Sequence, residues 1–128
     1  MAKTTQITVT AESRPGVLAK VSDVLAKAAV NIVAVCAADA AGRGKIRLVV
    51  SDPARAKEAL AAAKIRCGEE PALLLSMDDR PGALASVASR LAAAKINIRC
   101  AYATTAGGGK AQVVVVVANP DKAERALE

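Results

Sequence analysis

The chain has no histidine, phenylalanine or tryptophan, and only one tyrosine. Without His, the commonest general base near neutral pH is missing, and nucleophile systems of the Ser-His or Cys-His kind are excluded. Without large aromatics, any core must be assembled from Val, Ile, Leu and many Ala, which makes its packing small-grained. The three cysteines, Cys36, Cys67 and Cys100, are widely spaced and contain no Cys-x-x-Cys pair, so no usual zinc set can be completed. They read as reduced, buried small hydrophobes. The longest aliphatic block, residues 113–118, is far too short to cross a bilayer, and the opening MAKTTQITVT lacks the apolar stretch of a secretory signal. The expectation is a cytoplasmic chain with no membrane partner, no cofactor and no metal.

What is present is a duplication. The stretch ESRPGVLAKVSDVLAKAAVNI, residues 12–32, returns as DDRPGALASVASRLAAAKINI, residues 78–98, with 11 of 21 positions identical at a constant offset of 66. The echo continues as Asp52-Pro53 and Asn119-Pro120, now 67 apart, which reads as one residue of loop gained between them. Lys and Arg number 18 against 12 acidic residues, a formal charge of +6, which favours encounter with anions without specifying one.

Within the first copy, residues 5–11 alternate, placing Ile7, Val9 and Ala11 on one side and Gln6, Thr8 and Thr10 on the other, the pattern of a half-buried strand. After Pro15 the period changes. Val17, Leu18, Val21, Val24, Leu25 and Ala28 recur at helical spacing, as do Leu84, Val87, Ala88, Leu91 and Ala94. Asn31 and Asn97 mark the return to strands over 32–38 and 98–104. Glycine-bearing stretches at 40–44 and 106–109 predict hairpin turns, followed by strands over 45–51 and 111–118. Pro53 and Pro120, each preceded by a residue able to cap, open a second helix.

The order βαββα, closed in the first copy by a strand over 65–69, is the split βαβ plan. The predicted fold is therefore α+β: two tandem ferredoxin-like βαββαβ units, 1–70 and 71–128, with antiparallel sheets and helices on one face. The second unit has no evident closing strand, and its sheet edge needs a cover. Units of about 60 residues are marginal alone, so pairing of repeats and a homodimer are expected. The runs 73–75 and 113–117 lack polar alternation and predict strands buried on both faces.

The repeated Arg-Pro-Gly lies between the first strand and the first helix of each copy. Pro at the first helical position and Gly beside it would leave free helix N-terminal amides open to a carboxylate or phosphate. The simpler reading is a tight turn. Asn31 and Asn97 add amides able to meet either end of a zwitterion, provided the start of the second strand comes beside the turn. Glu12, Ser13, Asp78 and Asp79 offer acceptors for an ammonium group or, alternatively, helix caps. Arg14 and Arg80 are candidate anion contacts.

Arg-Pro-Gly-x-Leu, a helical run, then Asn-Ile, twice over, resembles the ACT domain family, the small ligand-sensing modules attached to enzymes such as phosphoglycerate dehydrogenase and aspartate kinase. The likeness spans nearly the whole chain. It implies a non-catalytic regulatory protein that encloses an amino acid or similar zwitterion between neighbouring domains. Gly16 and Gly82 would be close-approach positions, Ser13 and Asp79 loop contacts, and Asn31 and Asn97 amide contacts. Arg14, Asp78 and Arg80 complete the candidate set. Partners would be the ligand, a second copy and a metabolic enzyme or regulator, with no nucleic acid. Serine-binding members carry a His two residues before the loop contact, where this chain has Ala11 and Met77, so serine is not indicated. A ligand-free assembly module is the alternative reading. An RNA-binding ferredoxin-like domain is disfavoured because the central strands offer no aromatic platform. With a second acidic residue in its turn, the copy around Asp79 and Gly82 is the favoured site.

Overall fold

The computed structural model describes residues 2–128. Its elements run β1 (Ala2–Glu12), α1 (Val17–Lys27), β2 (Ile32–Ala40), β3 (Arg43–Val50), α2 (Pro53–Ala62), β4 (Gly68–Asp78), α3 (Ala83–Ala93), β5 (Ile98–Gly107), β6 (Lys110–Val117) and α4 (Pro120–Ala126). They form two compact units: residues 5–70, and residues 71–128 together with 2–4.

In the first unit the strands lie in the order β2-β3-β1, with residues 68–70 on the far side of β1. β1 and β2 both pair antiparallel with β3. Ile7 and Val9 of β1 and Ile46, Leu48 and Val50 of β3 meet Val21 and Leu25 of α1 and Ala56 and Leu60 of α2 in one core, so both helices cover one face. The second unit repeats this. β4 and β5 pair antiparallel with β6, and Leu73, Leu75, Val113, Val115 and Val117 pack with Leu91 of α3 and Ala123 of α4. Both units therefore follow the ferredoxin-like α+β plan.

The fold differs from the sequence expectation in four instructive places. The closing strand of the first unit begins at Gly68, not Ile65, and runs without a break into the first strand of the second repeat. Ile65 and Cys67 instead pack against the core as irregular chain. In the second unit the place of a closing strand beside β4 is taken by residues 2–4, and Lys3 forms an ion pair with Asp121 of α4. Most of the polar side of β1 is not solvated: Gln6 and Thr8 are buried and only Thr10 is exposed, since alternation assigns a side chain to a face but not to water. Leu18 and Leu84, at helical spacing, point away from the cores and are 44% and 53% exposed.

The duplication also reproduces its terminations. Three helices end in a Schellman motif whose left-handed residue is not glycine: Ala29, Lys64 and Lys95, with φ of 57°, 62° and 59°. At Lys95, its N–H donates to the Ala92 carbonyl at 2.9 Å and the next N–H, of Ile96, donates to the Leu91 carbonyl at 2.9 Å. Left-handed backbone costs a residue with a Cβ roughly 1–2 kcal/mol, against the smaller entropic cost of Gly. Lys95→Gly is therefore expected to raise stability by about 0.5–1 kcal/mol, read as a higher urea midpoint at unchanged slope, while Lys95→Ala leaves it nearly unmoved.

The two hairpins explain the gained residue. Ala41-Gly42 and Gly108-Gly109 are two-residue turns with positive φ at both positions, the geometry that suits the twist of a hairpin. The offset changes from 66 to 67 within β5, where the register with β6 shifts between Thr105 and Gly107. The extra residue is a bulge in the strand, not a longer loop.

Candidate functional site

The Arg-Pro-Gly stretch is built as a turn in front of the helix. Pro15 precedes the N-cap and does not occupy the first helical position, which belongs to Val17. Arg14 to Val17 form a type II turn, with Pro at its second position and Gly16 at φ 91°, ψ −8° at its third. Gly82 repeats this at φ 89°, ψ −11°. A Cβ at either glycine would meet nothing within 4 Å, so within the chain the glycines answer to backbone angle and not to crowding. Neither α1 nor α3 has a side-chain cap, so Glu12, Ser13, Asp78 and Asp79 do not serve as caps there. The second helices contrast: Asp52 accepts from the Arg55 N–H and Asn119 from the Lys122 N–H, both at 3.1 Å.

Each turn is pinned to the hairpin of its own unit. The Ser13 N–H donates to the Gly42 carbonyl at 2.9 Å, and the Asp79 N–H to the Gly109 carbonyl at 2.8 Å. This brings the loop after the first strand against the end of the second strand. The asparagines lie elsewhere. Glu12 pairs with Arg43 at one end of β3 whereas Ile32 pairs with Val50 at the other, about 23 Å of strand away. Within a unit, then, Asn31 does not come beside the turn, because a helix that returns antiparallel to its strand delivers the chain to the opposite end of the sheet. Asn31 is held by its backbone, its N–H donating to Ser51 Oγ and its carbonyl accepting from the Ser51 N–H, both at 2.9 Å. Asn31 and Asn97 are exposed.

What the turn and the hairpin enclose in the first unit is a cavity of about 210 Å³ lined by Glu12, Ser13, Arg14, Asp39, Lys45 and apolar residues that include Val17 and Leu18. Two carboxylates and two cations surround an apolar floor. Such a set can accept from an ammonium group and donate to a carboxylate at once. The volume lies below the roughly 300–1,000 Å³ of drug-sized pockets, on the scale of a single amino acid. Glu12 was read as a possible acceptor or helix cap and left out of the candidate set, and Asp39 and Lys45 were not foreseen at all; the signal for them was the hairpin register, which pairs Ala40 with Arg43 and Asp39 with Gly44 at the end where the turn sits.

The second unit spends the same positions differently. Asp78, the counterpart of Glu12, receives a hydrogen bond from Lys110 Nζ at 2.6 Å, and Arg80 Nε lies 3.5 Å from its other oxygen. The Lys110 hydrogen bond and charge, aided by Arg80, hold the Asp78 carboxyl below the usual carboxylate range, so it is ionised and already partnered at neutral pH. Asp79 is exposed. The structure thus joins Asp78 with Arg80 and leaves the Asp79 side chain apart from that pair.

The cysteines are half-buried. Burial pushes the Cys67 thiol up, against the nearby Lys57 charge, which keeps it protonated and unreactive at neutral pH. Among the described residues no group of His, Cys, Asp and Glu is arranged to hold a metal ion, and no helix is long and apolar enough to cross a membrane.

Two βαββαβ units of the ferredoxin-like plan, each with a glycine turn fastened to its hairpin, define a paired small-domain protein. The chain belongs to the ACT domain family: the family model described as an ACT domain pair matches residues 2–128. It is similar to protein BT0572 from Bacteroides thetaiotaomicron, with 34% identity over 98% of this chain and 86% of that one, and a TM-score of 0.90. It shares its fold with the ligand-free regulatory subunit of aspartate kinase from Thermus thermophilus, at 19% identity, 99% and 95% coverage and a TM-score of 0.70. The regulatory subunit of aspartate kinase from Thermus flavus is similar in the same sense, at 18% identity, 98% and 93% coverage and a TM-score of 0.66. No curated protein sequence matches the chain.

Proposed function

We propose that the protein is a non-catalytic regulatory ACT protein of the cytoplasm that binds an amino acid or similar small zwitterion and thereby shifts an assembly or a contact with a metabolic enzyme or regulator. The observation that carries this reading is the mixed-charge lining of the first unit's cavity, in which Glu12 and Asp39 would meet an ammonium group and Arg14 and Lys45 a carboxylate. Family membership and the regulatory subunits among the structural neighbours support it. Because Asp78 is already engaged by Lys110 and Arg80, the first unit is the stronger of the two sites.

A homodimer is part of the proposal. Leu18 and Val35, 44% and 47% exposed, lie beside the cavity and on the terminal strand of the first unit, where a second copy would cover them and carry its Asn31 or Asn97 toward the turn. The ligand would then sit at an interface between ACT domains, and ligand and association would be linked.

Thermal shift with each of the twenty amino acids tests the sensor reading. A ligand near 100 times its Kd is expected to add about 2.7 kcal/mol of stability. Asp39→Asn and Asn31→Ala should weaken that gain, and Leu18→Lys should weaken it together with self-association in sedimentation. If no amino acid moves the melting curve while the protein sediments as a dimer, the ligand-free assembly module is the correct reading. A species of 12.9 kDa alone, with or without ligand, would remove the dimer.

A further inference from the structure

On the other side of the Arg14 turn lies a second, larger cavity of about 460 Å³, bounded by the end of β1, the first turns of α1 and the irregular chain after α2. Four of its lining residues are cations, Arg14, Lys20, Lys64 and Arg66, and none is acidic. Its remaining lining is mostly apolar, with the Thr10 hydroxyl among it.

The arrangement follows from the way α2 ends. The Schellman motif sets Lys64 in the left-handed region and turns Ile65 inward, where it packs on the core with Cys67. Lys64 and Arg66 are thereby the residues that face out on either side of Ile65, toward α1. Arg14 comes from the turn pinned by the Ser13 hydrogen bond, and Lys20 sits one helical turn beyond Gly16, to whose carbonyl its N–H donates at 2.9 Å. Several surface cations of the chain have carboxylate partners: Lys27 with Asp23, Lys57 with Glu69, Lys110 with Asp78. Among the described residues these four have none. Like charges gathered without counter-charge in a concave site raise the local positive potential and disfavour the empty state.

The second unit supplies an internal comparison. Its corresponding cavity, about 280 Å³, has Ser86 where the first has Lys20, and its Arg80 is turned to Asp78, which itself lines the cavity with Lys110. The repeated arginine of the turn is thus set among cations alone in one copy and in a charge-balanced group in the other.

We infer that the first unit binds a small polyanion carrying phosphate groups, of nucleotide or sugar-phosphate size, in the cavity ringed by Arg14, Lys20, Lys64 and Arg66. Arginines donate in pairs to phosphate oxygens and lysines act as point charges, so the set suits a ligand of two to four negative charges and not a zwitterion. This site stands apart from the mixed-charge cavity, although Arg14 and Val17 line both. An anion that draws Arg14 to this side would change its availability on the other, and so couple the two.

Calorimetric titration with tripolyphosphate at fixed ionic strength tests the assignment. Saturable one-to-one binding is expected, weakened about tenfold or more by Lys64→Gln and by Arg66→Gln, and left within about twofold by Lys122→Gln, which removes the same charge from α4 of the other unit. Neither Lys64 nor Arg66 lines the mixed-charge cavity, so amino-acid binding should survive both substitutions. Absence of saturation, or equal weakening by all three variants, would overturn the site as mere surface charge. Tighter binding of a single-stranded RNA, with a salt dependence reflecting many phosphates, would overturn the small-molecule class in favour of nucleic acid.

Discussion

Leu25→Ala and Leu91→Ala are each expected to lower the unfolding free energy by about 2–5 kcal/mol, a large share of the roughly 5–15 kcal/mol that holds a domain together. The two leucines are duplicates, 66 positions apart, and both are 0% exposed. Each also supplies the carbonyl that accepts the last bond of its helix terminus, from the Val30 N–H and the Ile96 N–H, both at 2.9 Å. Alanine keeps that backbone bond and removes only the packing. The losses should not be equal. Beside Leu25 the neighbouring helix contributes Leu60, fully buried, whereas its counterpart Leu127 in the second unit only packs partly buried against the core. A site with a less confined neighbour can collapse around the missing atoms, so Leu91→Ala should fall toward the lower end of the range and Leu25→Ala toward the upper. Urea denaturation followed by circular dichroism measures both; a larger loss at Leu91 would show that the second core is the tighter one.

The second large effect is expected on the face of the sheet away from the helices. Residues 113–117 of β6 are all buried, but only Val113, Val115 and Val117 belong to the helix-covered core. Val114, 1% exposed in the single chain, lies opposite Leu74 on one neighbour and Tyr102 on the other. Val114→Asp places a carboxylate where those cross-strand neighbours offer no opposite charge. Desolvating an unpaired ion costs several kcal/mol, enough to consume most of the stability. The variant is expected to be largely unfolded or insoluble at 25 °C. Ala103→Asp, on the exposed surface of the adjoining β5, puts the same charge one strand away and should change stability by no more than about 0.5 kcal/mol. A folded, soluble Val114→Asp protein would mean that this face is open to water.

Much of the architecture was legible because duplication let each copy check the other. The Pro and Asp or Asn before the second helices, the strand and helix periods and the positions of the hairpins are local properties, fixed by spacing and by the few residues that tolerate unusual backbone. The unpolar run 113–117 announced a strand buried on both faces, whereas in the run 73–75 Leu73 and Leu75 are buried and Leu74 only partly so. The site was less legible. Arg14 and Gly16 were singled out because their spelling repeats, and Ser13 by its place beside them, but Asp39 and Lys45 carry no local signal. They reach the turn only through antiparallel register, which places side by side residues as far apart in the chain as Glu12 and Arg43. The same register moves Asn31 away from the turn within its unit.

The sequence by itself determined that there are two ferredoxin-like units and which turn is repeated, because period, caps and glycine angles are written in neighbouring residues. Only the tertiary structure decided where those turns lead. It carried residues 2–4 into the unit of the second repeat, buried Gln6 and Thr8, paired Asp78 with Lys110 and ringed one cavity with mixed charge and another with cations alone. Those outcomes depend on which residues the folded chain brings across space, and charge, unlike hydrophobic period, takes its meaning from the partner it meets.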